Sequence, residues 1–141
     1  METMHKWMAI IVMLWFFAAC GTIDGLDMTL KERICNGETY ARHVWGFGEK
    51  AMECAVNRLV RNILEMTPKQ TSYELYKSEA CYSGVSAIGF STCSAVLTED
   101  ECSQCIQQAL ENLFQECTHS VGAQVKLVDC RIRYENHDFP H

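Results

Sequence analysis

The chain has 141 residues, with 12 Lys and Arg against 18 Asp and Glu, and a net charge of −6. That length suits one domain around one core. The acidic balance excludes, at the level of global charge, a nucleic-acid binder and a cationic membrane-disrupting peptide, while a local basic patch stays compatible with it.

Residues 1–20 read as a secretory signal peptide. Met1–Lys6 is short, polar and carries Lys6. Trp7–Ala19 is an uninterrupted apolar run of 13 residues, and small residues follow at Ala18, Ala19, Cys20 and Gly21. The run is shorter than the ~20 residues of a membrane span, which disfavours an uncleaved anchor. A lipoprotein-type cleavage box around Cys20 is the weaker alternative. Cleavage after Cys20 or Gly21 leaves a mature domain over residues 21–141 and a secreted, apoplastic location. Of nine cysteines, eight then remain, and an even number in a secreted chain points to a disulfide framework. Spacing alone leaves about 105 pairings open.

Gly21–Arg33 is polar and reads as a lead-in. Ile34–Cys35 reads as a short strand ending in the Asn36-Gly37 turn pair. Glu38–Glu49, with Tyr40, Trp45 and Phe47, reads as loop. From about Lys50 to Met66, Met52, Ala55, Val56, Leu59, Val60 and Ile63 form a helical stripe, which Pro68 ends. Thr71–Lys77 and Ser83–Cys93 are strand-like. Thr98 and Glu101 then form a T-x-x-E capping box, with Glu99 and Asp100 adding negative charge at the helix start. Cys102, Cys105, Ile106, Ala109, Leu110, Leu113, Phe114 and Cys117 make the buried stripe of this second helix. Val121–Glu135 is β structure whose apolar parity changes near Val128, which predicts a bulge or tight turn. Asn136–His141 is polar and expected to fray. The order predicts an α+β sandwich with both helices on one face of an antiparallel sheet.

No catalytic arrangement emerges, and no cofactor or metal is expected. Cys102-Ser103-Gln104-Cys105 has the C-x-x-C form of a redox pair, and cysteines with His43 or His119 could in principle make a zinc site. A structural frame accounts for all eight cysteines better than either.

The C-x8-C-x2-C spacing of Cys93, Cys102 and Cys105, Cys117 at the helix end, and G-A-x-V-x-L-V-D-C-x-I-x-Y-E from Gly122 to Glu135 resemble the ginkbilobin-type antifungal domain. This module, also called the salt-stress-response/antifungal domain, occurs in tandem in cysteine-rich receptor-like kinases and plasmodesmata-located proteins. The resemblance spans about Ile34 to Phe139 and is loose between Cys35 and Tyr73. It implies a five-stranded antiparallel sheet with two helices, stapled by Cys35–Cys117, Cys93–Cys102 and Cys105–Cys130. Cys54 and Cys81 fall outside that frame; they form either a fourth bridge or two buried thiols.

The resemblance also implies a secreted, non-enzymatic plant defence protein with antifungal activity through mannose-type recognition of a fungal cell-wall component. Its sugar site maps onto Asn36, Gln124 and Glu135. The family has arginine at the position of Gln124. The glutamine keeps two donors but loses the charge and the rigid fork, so sugar binding is expected to be weakened or altered. Lys126 shares the strand parity of Gln124 and is a candidate substitute. The alternative is a non-lectin extracellular interaction module, a protease inhibitor or receptor partner, binding through a sheet face or the Tyr40–Phe47 loop. Asn36 as a plain turn residue and Glu135 as an exposed strand-end acid are the simpler readings of those positions.

Overall fold

The computed structural model describes residues 25–40, 47–82 and 84–141. The signal-peptide reading of residues 1–20 and the Trp45 position lie outside them. The elements run β1 (Leu30–Cys35), α1 (Phe47–Met66), a 3-10 turn (Thr67–Lys69), β2 (Glu74–Ala80), β3 (Ser86–Cys93), α2 (Glu99–Glu116), β4 (Ala123–Leu127) and β5 (Cys130–Glu135). The five strands form one sheet in the order β1-β4-β5-β3-β2. Every neighbouring pair is antiparallel. Helix α1 packs on β2 and β3, and α2 packs on β4 and β5. Among the described residues this is the α+β arrangement that the element order predicts, with the two helices and five strands that the resemblance implies.

Local chemistry explains the two helices. Thr98 accepts from the Glu101 backbone N–H, and the Glu101 carboxylate accepts from the Thr98 N–H at 2.7 Å, completing the capping box of α2. These bonds satisfy two of the donors that a helix start leaves unpaired. Met52, Ala55, Val56, Leu59 and Ile63 of α1 meet Cys102, Cys105, Ile106, Ala109 and Leu113 of α2 in one core with the inward residues of the sheet. Gly89 sits beneath α1. A Cβ there would lie 2.7 Å from a methyl of the buried Leu59, so the glycine lets the helix approach the sheet closely.

Four disulfides close the fold: Cys35–Cys117, Cys93–Cys102, Cys105–Cys130 and Cys54–Cys81. Cys102 and Cys105 are bonded to different strands, so they are not a redox pair.

Several boundaries differ from the sequence reading. The lead-in is strand from Leu30 onward, because its backbone pairs with β4 although its side chains are exposed. The segment read as Thr71–Lys77 starts as strand only at Glu74, since Tyr73 takes a left-handed φ of 54°. The parity change near Val128 is a tight β4–β5 hairpin turn. Tyr40 is not a loop side chain open to partners. It is 3% exposed, its N–H donates to the His119 carbonyl, and its ring meets His119 edge-on. The tail does not fray completely either. Phe139 is 7% exposed and packs with Ile88 and Phe90 on the sheet face opposite the helices.

Two predictions follow from this packing. Replacing Cys54 and Cys81 together by alanine opens a loop with a sequence separation of 27, and is expected to cost about 3 kcal/mol in urea unfolding under oxidising conditions. The second concerns Tyr134, whose hydroxyl donates to the Ser120 carbonyl at 2.6 Å. Burial pushes the phenols of Tyr134 and Tyr40 above their ordinary range, and for Tyr134 the nearby Tyr40 adds to the effect. The fold therefore favours protonated phenols. Their contribution is fully present below about pH 10 and is lost as pH rises above it, because the unfolded chain ionises first. Tyr134→Phe should lower stability by about 1 kcal/mol at neutral pH and flatten the alkaline decline, as read by thermal melts between neutral and strongly alkaline pH.

Candidate functional site

Strand alternation sends one set of residues into the core and the other to the open face of the sheet. In β5, Cys130, Ile132 and Tyr134 are buried while Arg131, Arg133 and Glu135 point outward. Antiparallel register then aligns Ile34, Gln124, Arg133, Phe90 and Tyr76 in a row across all five strands. At the β1 end of this row is a concavity of about 360 Å³, lined by Ile34, Asn36, Gly122, Ala123, Gln124, Arg133 and Glu135. Its volume lies within the range of small-molecule sites.

Asn36, Gln124 and Glu135, distant in sequence, thus line a single hollow. Asn36 is held twice: its N–H donates to the Gly122 carbonyl at 2.9 Å, and its Oδ1 accepts from the Glu38 N–H at 3.2 Å. The turn reading of Asn36 is therefore correct as local structure, and the turn leaves the side-chain NH₂ as the group that can face a ligand. Gln124 spends one donor on Glu32, with Nε2 to Oε2 at 2.7 Å, which leaves its carbonyl oxygen available as an acceptor. Glu135 is not an exposed strand-end acid. Its side chain is 13% exposed and its Oε1 accepts from both Nε and an NH₂ group of Arg133 at 3.1 Å.

Sequence reasoning missed two residues here. Arg133 is the direct cross-strand partner of Gln124, and its guanidinium lies over the Phe139 ring at 4.3 Å from the centroid. Its parity with Glu135 was the available signal. Gly122 is the second. A Cβ at this position would overlap the Glu135 carboxylate, so only glycine admits the carboxylate where it lies. Lys126 does not line this hollow; it lines one beside the β4–β5 turn together with Asp129 and Arg131.

The site offers a carboxylate, a guanidinium, an amide NH₂ and an amide carbonyl on rigid strands and a pinned turn. That set can accept from and donate to adjacent hydroxyls. No group of three or more His, Cys, Asp and Glu among the described residues could hold a metal ion. Among the described residues no helix is long and apolar enough to cross a membrane.

The role of Gly122 is testable. Gly122→Ala should displace the Glu135 carboxylate and break its pair with Arg133. The Arg133 Nε–H resonance is expected to move toward the position it takes in Glu135→Gln, with the global fold unchanged by backbone amide shifts.

The same arrangement of elements occurs in known proteins. The family model for salt stress response/antifungal domains matches residues 34–137. Antifungal protein ginkbilobin-2 of Ginkgo biloba is 30% identical over 87 residues, covering 59% of this chain and 65% of that protein. Antifungal protein ginkbilobin-like protein 1 of Picea glauca is 33% identical over 66 residues, covering 45% of this chain and 47% of that protein. The matched stretch thus spans less than two thirds of these relatives' own length. The crystal structure of the tandem DUF26 ectodomain of an Arabidopsis thaliana cysteine-rich receptor-like protein, PDLP8, shares the fold. Its TM-score is 0.67 at 21% identity, covering 79% of this chain and 50% of that one. With the family model matching most of its length, this chain belongs to the salt stress response/antifungal family, the ginkbilobin-type cysteine-rich domain.

Proposed function

We propose that this chain is a secreted, non-catalytic antifungal defence protein that recognises a saccharide of a fungal cell wall through the hollow formed by Asn36, Gln124, Arg133 and Glu135. A cleaved leader over residues 1–20 and an apoplastic mature domain over residues 21–141 belong to this reading. The observation that carries it is the convergence of a half-buried carboxylate, an amide NH₂ and a guanidinium in one hollow of suitable size. Vicinal hydroxyls of mannose-type sugars suit this donor and acceptor set.

Arg133 alters the expectation for position 124. The family arginine is absent there, yet the residue directly opposite brings a guanidinium into the same hollow. Gln124→Arg would put two cations opposite each other across the strands, an arrangement that destabilises. The substitution is therefore expected not to strengthen sugar binding.

The test is an NMR titration of the oxidised protein, residues 22–141, with mannose and mannan oligosaccharides. Saturable shifts around Asn36 and Glu135 are expected, and Glu135→Ala and Arg133→Ala should each weaken binding about tenfold or more, as loss of a charge-assisted hydrogen bond does. Absence of shifts at high millimolar sugar would sink the saccharide reading. The second reading, an extracellular protein-interaction module, would then gain from β1. This edge strand is exposed along its whole length, with Ile34 at 52%, and an open edge can accept a partner strand.

A further inference from the structure

The open face has a second hollow that the saccharide site does not use. It measures about 180 Å³ and is lined by Phe90, Gln124, Arg131, Arg133, Phe139, Pro140 and His141. Gln124 and Arg133 line both hollows, so the two are contiguous. Arg133 there is already paired with Glu135, and the other cation of the second hollow is Arg131. Its guanidinium lies 5.0 Å from the Phe90 ring centroid, and its buried Nε has no hydrogen-bond partner. A buried donor without a partner is a cost the fold carries unless something fills it.

Its neighbours raise that cost. Arg131 stands directly opposite Lys126 on β4 and opposite Thr92 on β3. Like charges opposite each other across strands repel. Among the described residues, neither Lys126 nor Arg131 forms an ion pair. Of the nearby carboxylates, Glu32, across from Lys126, bonds Gln124, Glu135 bonds Arg133, and Asp129, which lines a hollow with both cations, accepts from the Asp27 N–H. An acidic chain thus sets two cations without an ion pair side by side on the face that carries the candidate site. A guanidinium held over a ring keeps donors that can receive a planar carboxylate.

We propose that Arg131, with Lys126 beside it, binds the carboxylate of a sugar acid, so that the preferred ligand is a uronic-acid-containing oligosaccharide. Its neutral hydroxyls would occupy the Asn36/Glu135 hollow and its carboxylate the Arg131 hollow. This rests on the saccharide reading for the first half only; the Arg131 half stands on its own observations.

The experiment titrates the oxidised protein with a uronic acid disaccharide, with the matching neutral disaccharide, and with sodium sulfate at equal ionic strength, following backbone amides and the Arg131 Nε–H. The uronate should bind about tenfold tighter than the neutral sugar, one charge-assisted contact's worth, and should shift the Arg131 Nε–H. Arg131→Gln should erase that preference while the response at Asn36 persists. Arg131→Lys, which keeps charge but loses the fork, should retain only part of it. Equal affinity for the two sugars, a preference that survives Arg131→Gln, or an equal Arg131 shift with sulfate would each overturn the proposal. A uronate shift at Arg131 without any response to neutral sugar would uphold this site and remove the neutral-saccharide reading. Shifts at Asn36 without any at Arg131 would do the reverse.

Discussion

The anchoring of α2 is the constraint on which the rest of the structure depends. Three bridges meet along this one helix. Cys102 ties it to the end of β3, Cys105 to the start of β5, and Cys117, just past its C-terminus, to the end of β1. Three of the five strands are thereby fixed to one rigid element, two of them at the centre of the sheet. The bridges add to the apolar core by restricting the unfolded chain. Because the helices and cysteines hold the sheet from one side, its other side carries little of the burden of stability. That frees the outward half of each strand for polar and charged residues.

Strand β5 shows the division most directly. Its inward residues, Cys130, Ile132 and Tyr134, are a bridge, a core side chain and a buried hydrogen-bond donor. Its outward residues, Arg131, Arg133 and Glu135, are the charged groups of the open face. A one-residue slip of register would exchange the two sets, burying three charges and exposing the core. The Cys105–Cys130 bridge and the Tyr134–Ser120 hydrogen bond both oppose such a slip. The same bonds that stabilise the fold therefore position the candidate site, and the site inherits the rigidity of the sheet's centre.

The frame was largely legible in the sequence. The capping box at Thr98 and Glu101, the two apolar stripes and the parity change at Val128 are local signals, and each corresponds to a local interaction in the structure. What escaped was set by tertiary contacts. Leu30–Arg33 has no strand pattern, because β1 is exposed and owes its conformation to backbone pairing with β4. Phe139 looks like one apolar residue in a polar tail. Its burial depends on Phe90 and Ile88 lying beneath it, on a strand far away in the chain. Arg133 was unremarkable in sequence because its significance lies in its register opposite Gln124, which only the folded sheet defines. Three of the disulfide pairs were legible through family resemblance and not through spacing, while Cys54–Cys81, outside that frame, was left open between a bridge and two thiols.

The register also bears on how a binding face changes without changing the fold. Gln124 and Arg133 occupy facing positions, so a cation on either strand reaches the same hollow. The guanidinium on β5 stands beside the Glu135 carboxylate and gives that carboxylate a fixed partner, the pair at 3.1 Å. It also stands one residue pair from Arg131, on the same face of the same strand. The face then holds two guanidiniums in succession, each stacked on a phenylalanine, Arg131 on Phe90 and Arg133 on Phe139. Only the second has a carboxylate of its own. With one cation satisfied inside the protein and its neighbour not, the face is asymmetric along β5.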